Sequence, residues 1–526
     1  VAEFRRISAL NKTEFPDPQN EIIEKEDGGI TSEQSAAINH AGGPCMVIAG
    51  PGAGKTFLIV ERIKRLAGGG LNPQSIAVLT FSNKAADELR ERLGGSLTGE
   101  GLSVSTFHSL GLRLISENPQ LFGLRDNFII LNDDEKLRII KGLSPEKGAG
   151  AVTLMRKISA YKQGIDTDVE PLTVDEYNRR LSDNNFIDVD DLIYLPCVMA
   201  EARDELRDII SSRFTHLLID EFQDINFMQY RFIRLLAPDS GSDIFVIGDP
   251  DQSIYGFRGA SPEYIQKLKS DYPGLQVFSL KKSFRCSGII LRAAGQVLGK
   301  GEYLRSDNKG VKLIINEMTS DRSEADWIAA EIERMVGGVR SFSMNSGIAD
   351  GESSGRGFGD FAVLCRSSFM FECFREAFRN HGIAYKVAGS RPFYEFEPYK
   401  SVIQKIRNIL TGINTAEETP VELKKFMNEL PVDELIIKLL NESGAVSDKL
   451  RVQAAFGRMR SYDDFLRSVP LRTGEDDFLP DIEAVSLMTI HSSKGLEFDT
   501  VFIPGCEEGI IPFNLFGSDM SDLSEE

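Results

Sequence analysis

Residues 45–67, "CMVIAGPGAGKTFLIVERIKRLA", restrict the fold more than any other stretch of the chain. A short apolar run passes into a glycine-rich loop, and a segment with apolar residues at helical spacing follows. A strand joined to a helix in this way is the repeating unit of a parallel sheet with helices on both faces. Further apolar runs alternate with helical patterns at "SIAVLTF" (75–81), "THLLIDEF" (215–222) and "DIFVIGD" (243–249). We therefore predict an α/β protein.

A second series of apolar runs follows, namely "QVFSL" (276–280), "KLIINEM" (312–318), "DFAVLCRS" (360–367) and "VSLMTIH" (485–491). Helical patterns interrupt both series, and the Gly/Ser-rich stretch 341–360 predicts a loop. Two parallel-sheet units, each with a mainly helical insertion, account for this order. The predicted divisions are a linker or upstream remnant (1–29), a first unit (30–108 and 206–280), its insertion (109–205), a second, C-terminally incomplete unit (281–392 and 484–526) and its short insertion (393–483).

Composition narrows the class of protein. A chain of 526 residues is too long for one ordinary core, and no apolar run approaches the ~20 residues of a membrane helix. The six cysteines form no CxxC pair, which argues against a disulfide framework or a zinc site and favours a cytoplasmic location. The net charge of −19 disfavours a nucleic-acid partner for the surface as a whole. It leaves room for a local basic groove, because binding depends on the groove.

The loop "AGPGAGKT" (49–56) has the context of a phosphate-binding loop, with Ala49 in place of the first glycine of the strict pattern. Glycines let backbone N–H groups face phosphates at a helix N-terminus, Lys55 supplies positive charge, and Thr56 can ligate Mg²⁺. The alternative is a glycine-rich turn that binds no nucleotide. The predicted phosphate contacts are Gly50, Pro51, Gly52, Ala53, Gly54, Lys55 and Thr56.

The stretch "LLIDEFQD" (217–224) is an apolar strand that ends in acids. Asp220 is predicted to hold Mg²⁺ through water, and Glu221 to orient and deprotonate the attacking water. An acidic strand end can instead be a helix cap. Paired with the phosphate loop, it predicts hydrolysis of ATP in the presence of Mg²⁺.

The order and wording of nine stretches identify a family. "TSEQSAAI", "GPGAGKT", "LTFSNKAADELRERL", "VSTFHSLGLRLI", "LLIDEFQD", "VIGDPDQSIYGFRGA", "LKKSFRCSGIIL", "FAVLCRSS" and "VSLMTIHSSKGLEFDTVFIPGCEEGIIPF" resemble, in order, the motifs of UvrD/PcrA/Rep-type superfamily 1 DNA helicases. The resemblance covers about residues 30 to 526. It implies two RecA-like P-loop domains with ATP in the cleft between them and DNA across their top.

Several nucleotide contacts follow from this resemblance alone. Gln34 matches the glutamine that reads adenine, and Phe284 the aromatic that stacks on it. Gln252 matches the residue that links the γ-phosphate to the DNA contacts, and Glu497 one near the nucleotide sugar. Arg285 matches the cation that reaches the γ-phosphate from the second domain. The resemblance thus implies Lys55, Glu221, Gln252 and Arg285 as the catalytic set.

The resemblance also implies a DNA track. Phe81, Tyr255 and Phe257 match positions on which bases stack, a mode that is independent of sequence because every base has a π face. Phe257 stands where many relatives carry tryptophan. For any single aromatic, core packing is the alternative. The remaining implied contacts to the strand or its phosphates are Asn83, His108, Arg258 and His491.

The leading hypothesis is an ATP-dependent DNA helicase in repair or replication that moves 3′ to 5′. Its expected partners are single-stranded DNA, 3′-tailed duplexes and repair-complex loading factors. The ending "SDMSDLSEE" (518–526) matches the helix start before a final arginine motif, and the first residue is Val1. We therefore expect a native chain that continues past Glu526 and an impaired fragment. The alternatives are a fragment that binds ATP and DNA with little hydrolysis, or a motor subunit of a larger nuclease complex.

Overall fold

The computed structural model describes residues 29–513 with gaps. The gaps are residues 144–148, 166, 240, 257, 258, 262, 302, 303, 338–355, 390, 412–420, 445–447, 458, 460, 475 and 477–481. The predicted linker, apart from Gly29, most of the Gly/Ser-rich loop and the ending "SDMSDLSEE" lie outside the described residues. Among the described helices, none is both long and apolar enough to cross a membrane.

Six parallel strands form the first sheet, in the order β3-β2-β6-β7-β1-β8. Residues on alternate faces of each strand enter different cores, so Met46 packs on one side of the sheet and Val47 on the other. Burial on both faces explains why these strands are continuous apolar runs in the sequence. The strands are β1 (Cys45–Ala49), β2 (Ile76–Thr80), β3 (Ser103–Thr106), β6 (His216–Ile219), β7 (Asp243–Gly248) and β8 (Gln276–Leu280).

Helices cover both faces of this sheet. Several begin at side chains that cap free backbone N–H groups, as where Thr31 and Gln34 form a capping box. The helices of this unit are α1 (Ser32–Ile38), α2 (Lys55–Gly68), α3 (Asn83–Gly99), α4 (Phe107–Glu117), α9 (Asp204–Ser211), α10 (Phe227–Leu236) and α11 (Glu263–Asp271).

The second sheet has four parallel strands in the order β10-β11-β9-β12. Its core joins the strands to α13 and α14 through residues such as Ile328, Val363 and Phe374. The elements are α12 (Gly288–Val297), α13 (Asp321–Val336), β9 (Phe361–Cys365), α14 (Phe371–His381), β10 (Tyr385–Val387), β11 (Val485–Thr489) and β12 (Thr500–Phe502).

Two strand assignments from the sequence were wrong. "QVFSL", grouped with the second series, is the edge strand of the first sheet, where Val277 pairs with Met46. "KLIINEM" is extended but forms no strand, and Leu313, Ile314 and Ile315 are exposed. Apolar content produces a strand only where a neighbouring strand completes the hydrogen-bond ladder, and no described strand lies beside this segment.

Both insertions are mainly helical. The first contains α5 (Asp133–Lys141), α6 (Ala149–Gln163), α7 (Pro171–Asp183) and α8 (Asp191–Ala202), with a short parallel pair of β4 (Ile129–Ile130) and β5 (Phe186–Ile187). The second contains α15 (Tyr399–Thr411), α16 (Val421–Glu429), α17 (Val432–Glu442), α18 (Lys449–Phe456) and α19 (Tyr462–Ser468). Each insertion has its own hydrophobic cluster.

A fully buried ion pair joins the two insertions. The Arg407 guanidinium donates from Nε and Nη2 to the two carboxylate oxygens of Glu135, at 3.0 and 2.7 Å, and both side chains are 0% exposed. Arg407 also donates to the carbonyl oxygens of Ile130 and Leu466, at 2.8 and 3.2 Å. Every oxygen of Glu135 therefore has a partner, which is the condition for a buried charge to be tolerated.

Removal of one member of this pair is expected to destabilise the protein. Arg407→Ala leaves Glu135 buried without a counter-charge, so we expect the free energy of unfolding to fall by about 3 kcal/mol or more. Urea denaturation followed by circular dichroism measures this change.

Lys400→Ala is the matched control, because it breaks a contact between the same insertions, to Asp134, in which both side chains are 46% exposed. We expect that variant to lose less than about 1 kcal/mol. Equal losses for Arg407→Ala and Lys400→Ala would contradict the interpretation of the buried pair as a stabilising junction.

Candidate nucleotide site and nucleic-acid track

The glycine-rich loop between β1 and α2 is shaped to hold an anion. Gly52 and Gly54 have φ values of +70° and +85°, in the left-handed region that favours glycine. Gly54 precedes α2, and no side chain caps the first N–H groups of that helix. Uncapped N–H groups at a helix N-terminus bind phosphate well. The predicted residues 50–56 therefore form one loop and the first turn of α2.

Lys55 is paired with acceptors from two other strands of the sheet. Its Nζ lies 2.9 Å from the carboxylate of Glu221 and 3.2 Å from Gln252 Oε1. Burial alone would lower the pKa of Lys55, but the carboxylates of Glu221 and Asp220 hold it above its ordinary value. Lys55 is therefore a cation already positioned beside the acids that follow β6.

Glu221 has a left-handed backbone, with φ +50° and ψ +47°. This is uncommon for a residue with a side chain, and such strain is concentrated at functional sites. The Glu221 N–H donates to Asp220 Oδ1 at 3.0 Å, and Gln223 Nε2 donates to Glu221 Oε2 at 2.6 Å. The unusual backbone turns the Glu221 carboxylate toward Lys55.

Their surroundings drive these adjacent carboxyl groups in opposite directions. Burial and the neighbouring Glu221 charge raise the pKa of Asp220. Burial also opposes ionisation of Glu221, but Lys55 and Lys494 hold the pKa of Glu221 below its ordinary value. Glu221 is thus ionised and able to accept a proton, and ionised Asp220 would be stabilised by a nearby cation.

Gln252 lies between the phosphate loop and the second unit. Its side chain accepts from Lys55 and donates to Asp249 Oδ2 at 2.8 Å, while its carbonyl oxygen accepts from Lys494 Nζ at 2.9 Å. Lys494 also forms an ion pair with Asp224, whose carboxyl is buried; this burial raises the pKa of Asp224 to about 6. The second unit therefore contacts the floor of the nucleotide site through Lys494.

Lys494 was missed by the sequence analysis. It lies in the quoted stretch "HSSKGLEF", from which only His491 and Glu497 were selected. Its position as a cation within a motif full of polar residues was the available signal. Its partners Asp224 and Gln252 are 270 and 242 residues away in the chain, so no local pattern could identify them.

Residues 283–285 lie directly against the phosphate loop. The Phe284 N–H donates to the Gly52 carbonyl oxygen and Ser283 Oγ to that of Pro51, both at 2.8 Å. A Cβ added at Gly52 would lie 2.5 Å from Arg285 Cβ, so glycine is required there by this contact as well. Phe284 is 51% exposed, which leaves its ring open to a ligand.

The other predicted nucleotide contacts have protein partners. Gln34 Nε2 donates to the Ala53 carbonyl oxygen at 3.0 Å, and Gln34 Oε1 accepts from the Thr31 N–H at 3.1 Å. Arg285 forms an ion pair with Glu497. The structure therefore brings Gln34, Arg285 and Glu497 to the edge of the phosphate loop.

The donors available for Mg²⁺ fit its chemistry. No group of three or more His, Cys, Asp or Glu side chains in the described parts of the chain could enclose a metal. Magnesium does not need such a group, because it usually keeps several waters and binds one or two protein oxygens together with substrate phosphates. Thr56 in the first turn of α2 and the buried Asp220 after β6 are oxygen donors of this kind.

The aromatic residues of the predicted DNA track contact each other. The rings of Phe81 and Tyr255 stack at 4.8 Å with an interplanar angle of 19°. Tyr255 is 3% exposed, and its hydroxyl donates to the His491 carbonyl oxygen at 3.3 Å. The expectation that a base stacks on Tyr255 does not fit this packing, because the residue is buried beneath Phe81. Tyr255 instead joins Phe81 to the turn that carries His491.

The remaining track residues differ in accessibility. Asn83 Nδ2 donates to the Leu471 carbonyl oxygen at 3.3 Å and to Asp476 Oδ2 at 3.1 Å, so residues of the second insertion occupy it. Burial lowers the pKa of His108, which makes it a neutral imidazole rather than a cationic phosphate contact. Phe257 and Arg258 lie outside the described residues.

Comparison with protein families identifies both halves of the chain. The UvrD/REP helicase N-terminal domain matches residues 30–168 and 154–273, and the UvrD-like helicase C-terminal domain matches 278–428 and 438–526. The first match includes the phosphate loop and Glu221, and the second includes Arg285 and Lys494. The two family matches thus meet at the interface between the sheets.

Three relatives show how far the similarity extends. A probable DNA helicase II homolog of Rickettsia conorii is 28% identical, with 92% of this chain and 87% of the relative covered. The ATP-dependent DNA helicase Rep of Escherichia coli (strain K12) is 27% identical, with 91% and 85% covered. The ATP-dependent DNA helicase UvrD1 of Mycobacterium leprae is 29% identical, with 97% and 81% covered. The chain therefore belongs to the UvrD/Rep helicase family.

Proposed function

We propose that this protein moves 3′ to 5′ along single-stranded DNA and separates the strands of a 3′-tailed duplex. Family membership makes it an ATP-dependent DNA helicase, and the proposal concerns direction, substrate and the residues that act. The observation that carries it is the contact between Lys494 and Gln252, because it links the nucleotide site to the second unit. Tyr255 extends the link toward Phe81 and His491.

In the proposed hydrolysis step, Lys55 leaves Glu221 and pairs with the β- and γ-phosphates of ATP. Glu221 then accepts the proton of the attacking water, a task that suits its lowered pKa and its position at a strand end. Mg²⁺, held through Thr56 and Asp220, would neutralise phosphate charge. Without nucleotide, the Lys55–Glu221 pair keeps the base occupied.

Closure of the two units is proposed to complete the catalytic set. Arg285 exchanges Glu497 for the γ-phosphate, a small loss because the two side chains are 41% and 61% exposed. The cation then stabilises charge that develops in the transition state. Phe284 stacks on the adenine, and Gln34 reads its edge from the opposite side of the loop.

The substrate is proposed to be DNA of any sequence, bound by stacking and phosphate contacts at Phe81, Asn83, His108, Phe257, Arg258 and His491. Asp476 must leave Asn83 for a strand to contact that amide. Work in DNA repair, with loading factors, and a cytoplasmic location are parts of the same proposal. Six free cysteines fit a reducing compartment.

The experiment compares ATP hydrolysis and strand separation on matched DNA substrates. We expect single-stranded DNA to stimulate hydrolysis strongly, and ATP to drive displacement from a 3′-tailed duplex but not from a 5′-tailed one. Displacement from the 5′-tailed duplex alone would overturn the proposed direction. Tight DNA binding with no stimulated turnover would favour a protein that only binds ATP and DNA.

A further inference from the structure

A cavity of about 710 Å³ lies at the junction of the two helical insertions, away from the phosphate loop. The first insertion supplies most of its wall, and the end of α15, at Leu410 and Thr411, supplies the rest. The wall includes Arg125, Arg138 and Arg180, and none of its residues is acidic. In a chain with 79 acids and 60 bases, such a wall is a local concentration of positive charge.

The arginines differ in how far they are engaged. Arg180 Nε donates to Glu176 at 3.0 Å, which uses part of its charge. Arg125 is exposed, and no carboxylate of the described residues forms an ion pair with its guanidinium. Arg138 is partly buried in the last turn of α5. Arg125 and Arg138 therefore provide the main attraction for an anion.

The loops around the cavity are held in place by amide side chains. Asn185 has a left-handed backbone with φ +61°, and its Oδ1 accepts from the Arg125 N–H at 2.8 Å. Its Nδ2 donates to Asn127 Oδ1 at 3.2 Å. Asparagine tolerates this conformation better than most residues. The position of Arg125 is thus set by a specific local structure.

A buried charge network connects the cavity to the neighbourhood of the predicted track. Lys136, two residues before Arg138, pairs with Asp188 and Asp190 at 3.2 and 2.9 Å. Asp190 in turn lies close enough to His108 to influence its pKa. The cavity and the track are therefore parts of one rigid frame.

We propose that this cavity binds the phosphates of a single DNA strand, namely the strand displaced from the duplex. The inference rests on the proposed function, since only strand separation produces such a strand beside the insertions. A stiff duplex cannot bend into a concave cavity, whereas a single strand can. The partly buried Phe186 in the wall adds an aromatic surface for a base.

The test uses two duplexes that share a 3′ tail and differ only in a single-stranded 5′ tail on the other strand. Without ATP, we expect the protein to bind this fork about tenfold more tightly than the 3′-tailed duplex. Arg125→Gln/Arg138→Gln is expected to abolish that difference. Loss of two single-strand phosphate contacts should also reduce the slope of log affinity against log salt by about 1.4.

Arg179→Gln is the matched control, because Arg179 lies on the same insertion, is 64% exposed and pairs with Glu176 outside the cavity. It should keep the preference for the fork. An unchanged preference in the double variant, or none in the parent protein, would overturn the inference. Loss of polyglutamate binding by the double variant, with the fork preference intact, would overturn it in favour of an acidic protein partner.

Stimulation of hydrolysis by a short single-stranded oligonucleotide separates this inference from the proposed function. The parent protein and both variants are expected to respond equally, because that strand binds the track. If the oligonucleotide stimulates none of them, the proposed function fails. Equal stimulation with no difference between fork and tailed duplex leaves the proposed function intact and overturns the cavity assignment.

Discussion

Glu221→Gln is expected to reduce kcat for DNA-stimulated ATP hydrolysis by about 10³-fold. The substitution keeps the size of the side chain but removes its ability to accept a proton from water. Binding of ATP should not weaken, because the amide pairs less tightly with Lys55 and frees that cation for phosphate. Steady-state hydrolysis with saturating single-stranded DNA gives kcat, and titration with a non-hydrolysable analogue gives the affinity.

Glu201→Gln is a suitable control, because Glu201 is a surface acid, 64% exposed, that pairs with Arg231 far from the phosphate loop in sequence. We expect that variant to match the parent protein in both measurements. A Glu221→Gln enzyme that keeps turnover within tenfold of the parent would mean that another group accepts the proton. Asp220, the adjacent carboxyl, would then be the first candidate.

The parts of the fold that were predictable are those set by local pattern. The run at residues 45–49 is buried on both faces and is continuous in apolar residues for that reason, so the strand and its loop could be read directly. "KLIINEM" has the same composition but no neighbouring strand among the described residues. A strand is defined by its pairing, and pairing with a distant segment leaves no mark on a single run.

The site shows the same limit. The phosphate loop and the acids after β6 are sequence-local signals, and the structure places Lys55 and Glu221 in contact. The ion pairs of Arg407 with Glu135 and of Lys494 with Asp224 join residues 272 and 270 positions apart. Such pairs depend on how whole units pack. The burial of Tyr255 beneath Phe81 likewise reflects tertiary packing that no aromatic spacing reveals.

Arg285→Ala is expected to lower kcat by about 10³-fold while the KM for ATP changes little. The cation acts on charge that develops as the γ-phosphate departs, so its loss raises the barrier more than it weakens binding. Arg285→Lys should recover only part of the rate, because lysine lacks the planar fork of guanidinium donors. Steady-state kinetics with saturating DNA separates kcat from KM.

The partner and a nearby arginine supply the controls. Glu497→Gln removes the exposed ion pair that holds Arg285, and we expect its kcat to fall less than tenfold because an exposed pair contributes at most about 1 kcal/mol. Arg292→Ala, at an exposed position of α12, should match the parent protein. If Arg285→Ala raised KM and left kcat unchanged, Arg285 would be a residue of ground-state binding. Its approach to the phosphate loop would then serve to hold ATP before the units close.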